Sequence, residues 1–221
     1  MKVEDMDFSL YVITDTDASG GRLHAEVVRL ALEGGATAIQ YREKRASVRR
    51  MLEVGAQLRE LAAQHGAAFI VNDRPDLAIA LGADGVHVGP EDLPPDAVRK
   101  IVGPDMMVSV SVDNPQDARE AEARGADYIV ARPVFPTRWK ASGRATMGAE
   151  GLAEIVRSVR VPVLADGGIN AETLPDILRS GAAGPGVTAA VVGAEDPREA
   201  ARQFREMVEA YKSRQTAGQG A

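Results

Sequence analysis

Residues 68–92, AFIVNDRPDLAIALGADGVHVGPED, contain one full repeat of the pattern that organises this chain. A strand-length apolar run, Ala68 to Val71, opens into the polar Asn72-Asp73-Arg74. A helix-length segment follows and ends near Gly82, a residue suited to the left-handed turn that closes a helix before a strand. A second apolar run, Gly85-Val86-His87-Val88, then opens into Gly89-Pro90-Glu91-Asp92. If the two runs are neighbouring parallel strands, Asp73 and Asp92 lie at the same end of one sheet, where a hard cation and a diphosphate can be held.

The repeat extends in both directions. Strand-length apolar runs occur at 10–13, 37–41, 68–71, 85–88, 107–110, 128–130, 161–164 and 186–192. Between them lie stretches with helical spacing, such as Met51, Val54, Leu58, Leu61 and Ala62, or Phe204, Met207, Val208 and Tyr211. Ser47, Asn114-Pro115 and Asn170 signal helix starts. Eight strand-helix repeats in about 210 residues predict an α/β fold of the (β/α)8 TIM barrel type, near the compact end of its size range. An open doubly wound sheet is the runner-up, but the first turn lacks Gly-x-Gly-x-x-Gly. The reading gives one barrel domain over residues 1–211 and a flexible polar tail over 212–221. The connection 133–148, too long for a simple link, reads as a lid.

Composition excludes several functions. A chain of 221 residues, 45% apolar, can bury roughly 70% of its unfolded surface in one core. Its 32 acidic and 26 basic residues give a net charge of −6, which argues against a nucleic-acid partner. With zero cysteines, disulfides, thiolate zinc sites and a cysteine nucleophile are excluded. No apolar stretch reaches membrane-spanning length, and Glu4, Asp5 and Asp7 do not fit a signal peptide. A cytoplasmic protein acting on small molecules, with no membrane partner, is expected. Oligomeric state is left open, a homo-oligomer being compatible.

In a barrel, chemistry belongs where the strands end. The exits here carry Thr14-Asp15, Gln40 with Arg42 and Lys44, Asn72-Asp73-Arg74, His87 followed by Asp92, Ser111 with Asp113, Thr137 to Lys140, Gly167-Gly168 and Thr188. Arg42 and Lys44, at alternate positions, can face one side and suit a diphosphate, Arg through its fork and Lys as a point charge. Asp73 and Asp92 are candidates for Mg2+, although a loop aspartate is more often a turn or cap residue. Asp84 and Asp127 open their strands and fit that plainer role. Gly167-Gly168 before a helix start, with the turn near Thr188, has the form of a phosphate cup. His87 is expected to pack in or near the barrel, and His24 and His65 to lie on helix surfaces.

Together, Tyr11-Val-Ile-Thr-Asp15, Gln40-Tyr-Arg-Glu-Lys44, Asn72-Asp-Arg74, Ala83-Asp-Gly-Val-His87, Glu91-Asp92, Gly125-Ala-Asp-Tyr128, Pro133-Val-Phe-Pro-Thr137 and Gly167-Gly-Ile169 resemble the thiamine phosphate synthase family across nearly the whole chain. The resemblance implies a transferase that joins hydroxymethylpyrimidine diphosphate to thiazole phosphate and releases diphosphate by a dissociative, Mg2+-assisted route. It implies that Gln40, Tyr41, Arg42, Glu43, Lys44, Asn72, Ser111 and Lys140 contact the pyrimidine diphosphate, with Arg42, Lys44, Ser111 and Lys140 as the catalytic set. Asp73 and Asp92 would hold Mg2+. Thr137, Arg138, Trp139, Gly168, Thr188 and Ala189 would hold the thiazole phosphate.

The chain departs from the family pattern on that last side. Arg138 and Trp139 stand where small hydroxyl residues are usual, Arg132 replaces a glycine, Asp113 a histidine and Ala189 a serine, and Pro185-Gly186 replaces an apolar pair. Arg132 or Arg138 as a phosphate donor, Trp139 as an apolar cover, and drift in a loop all stay open. So do two other functions: a thiazole tautomerase-like isomerase, and a non-catalytic barrel that binds a phosphate ligand.

Overall fold

The computed structural model describes residues 1–137 and 145–219, the side chains of 217–219 excepted. After a 3-10 turn at Val3–Asp5, strands and helices alternate: β1 (Tyr11–Ile13), α1 (His24–Glu33), β2 (Ala38–Tyr41), α2 (Val48–Gln64), β3 (Ala68–Asn72), α3 (Pro75–Ala80), β4 (Gly85–Val88), α4 (Pro95–Val102) and β5 (Met107–Val112). The order continues through α5 (Pro115–Ala123), β6 (Tyr128–Ala131), α6 (Gly148–Ser158), β7 (Val163–Asp166), α7 (Leu174–Arg179), β8 (Gly184–Val187), α8 (Ala189–Val192) and α9 (Pro197–Gln219). The strands are all parallel and close in sequence order, β8 pairing with β1. The expected (β/α)8 barrel is the fold.

Alternation along each strand separates two cores. Val12, Ile39, Val71, Val86, Val108, Ile129 and Val187 face outward and pack with the helices. Tyr11, Ile13, Ala38, Ile70, Met107, Tyr128, Val130 and Leu164 fill the barrel together with Met6 and Phe8, which plug its floor. The floor is tight: a Cβ on Gly184 would sit 1.8 Å from the Phe8 carbonyl oxygen. Asp84 and Asp127 open β4 and β6 at this end, each accepting a neighbouring strand's amide, from Phe69 at 2.9 Å and Val108 at 2.6 Å.

Several boundaries move from the sequence reading. The last apolar run, expected as one strand over 186–192, is split into β8 and the one-turn helix α8, because a short apolar run has no period that tells strand from buried helix. β7 begins two residues later than expected and ends at Asp166, since Pro162 has no amide to give the ladder. Asn170 caps a turn, its Oδ1 accepting from Glu172 and Thr173, and α7 starts only at Leu174. The helix α9 runs to Gln219, beyond residue 211. His24 is not simply a surface residue: its ring packs edge-on to Tyr41 at 5.5 Å, and Nε2 lies 3.2 Å from Glu43 Oε2.

Candidate active site

The inward row of each strand leads to its C-terminal rim, and on the β2–β5 side it carries Gln40, Arg42, Asn72, His87 and Ser111. Gln40, at the top of β2, is buried and donates from Nε2 to the Tyr11 hydroxyl at 3.0 Å. His87 is buried with Nδ1 2.9 Å from Ser109 Oγ and Nε2 2.9 Å from Ser111 Oγ. Asn72 pairs in register with His87. Arg42 is ion-paired with Asp15, whose other oxygen accepts from the amides of Asp17 and Ala18.

Just above this row, Lys44 is ion-paired with Asp73. Asp73 has a positive φ of 64°, a conformation that Asp tolerates better than most residues, and its amide donates to the His87 carbonyl at 2.7 Å. The sharp turn sets its carboxylate beside that of Asp92. Burial first, and then the Asp73 carboxylate, push Asp92 above its ordinary pKa, although the Gly89 amide and Lys44 pull the other way. Two carboxylates pressed together in this manner are relieved by a cation. Among the described residues no group of three or more His, Cys, Asp or Glu could hold a metal. An ion held by Asp73 and Asp92 would need its other oxygens from water or substrate, a donor set that suits Mg2+.

Tyr41 and Glu43 do not join this cluster. Tyr41 faces outward on β2, in the layer beneath the helices, and burial there pushes its phenol up to about 12. Its side chain is separated by the sheet from Gln40 and Arg42. Glu43 turns back onto its own loop. Burial alone would raise its pKa, but bonds from the Arg45 amide, His24, the Ala46 amide and Thr16 hold the carboxyl down to about 2. Both residues shape the β2 exit, and the alternation that sets Arg42 and Lys44 on one side already puts Tyr41 and Glu43 on the other.

Across the mouth, Thr137, Gly168, Thr188 and Ala189 line a cavity of about 240 Å3 with Asp166, Gly167 and Asn170. Gly168 has φ of 67°, and a Cβ there would lie 2.6 Å from the Pro136 carbonyl oxygen. Only glycine fits this approach. The Thr188 Oγ1 is buried with no hydrogen-bond partner among the described residues. Asp166, buried at the end of β7, lies with Oδ2 3.4 Å from Arg132 Nε. Sequence reasoning missed Asp166 because β7 was ended at Leu164. The signal was its place two residues beyond that inward leucine. Arg138, Trp139 and Lys140 lie outside the described residues. The ends of their connection are fixed: Val134 and Phe135 donate to the carbonyls of Asp166 and Gly167, and Met147 and Gly148 to those of Pro133 and Val134.

A closed parallel barrel with cations, paired carboxylates and a glycine-lined cavity gathered on its C-terminal rim has the architecture of a barrel enzyme for anionic small molecules. Residues 10–191 match the family described as thiamine monophosphate synthase. The chain is 49% identical over 202 residues to thiamine-phosphate synthase of Pyrococcus furiosus, covering 90% of this chain and 94% of that one. It is 45% identical over 201 residues to the Moorella thermoacetica protein of the same name, covering 91% and 96%. The solved thiamine phosphate pyrophosphorylase from Pyrococcus furiosus superposes with a TM-score of 0.86 at 45% identity, covering 93% of this chain and 97% of that one. The chain belongs to the thiamine monophosphate synthase family and is a transferase of that family. No helix among the described residues is long and apolar enough to cross a membrane.

Proposed function

We propose that this barrel joins a pyrimidine bearing a diphosphate-ester methylene to a thiazole phosphate, forming thiamine phosphate and releasing diphosphate. The observation that carries this reading is the division of one mouth into two unlike halves. On one half Arg42, Lys44, Asp73 and Asp92 converge, a set suited to a diphosphate and its cation. On the other half lies the Gly167-Gly168 cavity, with the Thr188 hydroxyl, unpartnered among the described residues, at its wall. Relatives named thiamine-phosphate synthase support the assignment.

In this mechanism the protein supplies no nucleophile. The carbon–oxygen bond to diphosphate breaks, the pair of electrons leaves with the diphosphate, and the thiazole nitrogen attacks the resulting methylene cation. The residues act by placing the two substrates and by stabilising the leaving charge. Lys44 and Arg42, held by Asp73 and Asp15 in the free protein, exchange those carboxylates for diphosphate oxygens. Ser111 donates to the same substrate, while Gln40 and Asn72 orient its ring. Lys140 adds a further cation toward the diphosphate. Mg2+, held by Asp73 and Asp92, would add electrostatic stabilisation of the leaving diphosphate.

The test is direct. Purified protein given both substrates with Mg2+ is expected to make thiamine phosphate, and chelator or Asp73→Ala to stop it. Full turnover in chelator would refute the metal assignment. Conversion of the thiazole substrate alone would point to the isomerase instead.

A further inference from the structure

A cation and a carboxylate stand side by side where β6 and β7 end. Alternation along β6, inward at Tyr128 and Val130, makes Arg132 the next inward side chain, just past the strand. Alternation along β7, inward at Leu164, does the same for Asp166. Ala131 and Ala165 are register partners, so Arg132 and Asp166 are neighbours on the rim. Both backbones are fixed, the Arg132 amide donating to the Val112 carbonyl at 2.9 Å and the Val134 amide to the Asp166 carbonyl at 3.0 Å.

The two side chains are unequally placed. That of Asp166 is 4% exposed and lines the Gly167-Gly168 cavity, whereas that of Arg132 is 29% exposed. Arg132 meets Asp166 through Nε, with Oδ2 at 3.4 Å, wider than an ordinary N–H···O bond. The contact is thus an ion pair that braces one edge of the guanidinium, and the terminal nitrogens of the fork are left to a second anion. In a closed ring of eight strands, β6 lies opposite β2, the strand that leads to Arg42 and Lys44. Arg132 therefore belongs to the half of the mouth away from the diphosphate cations. Among the described residues of the β6, β7 and β8 exits it is the one cationic side chain.

We propose that Arg132, braced by Asp166, is a specificity-determining residue for the second substrate, its terminal nitrogens taking the phosphate of the thiazole phosphate at the Gly167-Gly168 cup. This rests on the synthase reading and deepens it at a position where the family pattern has glycine. With glycine there, that position would offer the phosphate no side-chain donor, whereas arginine adds a charge-assisted pair. The unphosphorylated thiazole alcohol has no charge for that pair to meet. Arg132 is thus a filter for the phosphate ester over the alcohol.

Calorimetric titration of thiazole phosphate and of the thiazole alcohol, each into the unaltered protein and into Arg132→Ala, tests it. The unaltered protein is expected to bind the phosphate more tightly than the alcohol. Arg132→Ala is expected to weaken the phosphate about twentyfold and to leave the alcohol unchanged. An unchanged variant, an equal loss for both ligands, or an unaltered protein with no preference for the phosphate overturns the proposal. Because Arg132→Ala strips a cation from a buried carboxylate, the double variant Arg132→Ala/Asp166→Asn is titrated as well. It is expected to keep the weakened phosphate binding. A return to the unaltered affinity would mean that Arg132 serves only to balance Asp166, and would overturn the contact. Absence of thiamine phosphate from the unaltered protein given both substrates would refute the proposed function, while the titrations would still decide the role of Arg132.

Discussion

At the scale of single residues, the same residue type takes opposite roles according to its surroundings. Asp84 and Asp127 accept strand amides at the barrel floor, whereas Asp73 and Asp92 face one another at the mouth. The raised pKa of Asp92 means that the folded state resists its ionisation, so without metal this pair loses stability as pH rises above the ordinary carboxylate range. A bound divalent ion reverses that cost. At a hundred times its Kd, Mg2+ is expected to stabilise the protein by about 2.7 kcal/mol in thermal unfolding. Asp92→Asn should abolish that shift while leaving the metal-free protein no less stable. Glu43 behaves in the opposite sense, its carboxyl held down to about 2. Its contribution is full above the unfolded value of about 4.3 and is lost as pH falls toward the folded one. Glu43→Gln is therefore expected to cost about 2 kcal/mol in urea unfolding at pH 7, the gap from the parent narrowing below about pH 4.

At the scale of elements, the caps and cup make equally specific demands. Asn114 accepts from the amides of Gln116 and Asp117 at the start of α5, so Asn114→Ala should cost about 1 kcal/mol of stability. Gly168→Ala places a methyl group against Pro136 and Phe135 at a positive φ. It is expected to raise KM for the thiazole phosphate more than KM for the pyrimidine diphosphate, a contrast read from paired titrations. Much of this architecture was legible in the sequence, because each strand announces itself by an apolar run and each exit by polar residues. Asp73 and Asp92 were placed together from that repeat alone. What escaped were the fold-back of Glu43, the split of 186–192 into strand and helix, and which of the two alternating sides of β2 faces the barrel. Alternation gives the relative sides of residues in a strand, but packing decides which side is the barrel. Thus Tyr11 and Tyr128 read only as apolar strand residues, and their meeting across the barrel depends on closure.

At the scale of the whole molecule, closure also joins the chain's ends. The long helix α9 packs on α1 and α8 and buries Ala201, Phe204 and Val208 in the outer core, while Arg205 and Lys212 reach Asp7 near the barrel floor. Burying those three apolar side chains contributes about 5 kcal/mol, comparable with the net stability of an ordinary domain. Deletion of 197–221 is accordingly expected to abolish the cooperative thermal transition seen in the full chain. The 133–148 connection is attached quite differently, its two bases fastened by backbone bonds from Val134, Phe135, Met147 and Gly148. Both bases are thus held by the backbone on either side of residues 138–144. Doubling the length of such an insert adds only about 0.6 kcal/mol of closure entropy. Exchange of residues 138–144 other than Lys140 is therefore expected to alter which substrates are taken while leaving the thermal transition of the frame unchanged.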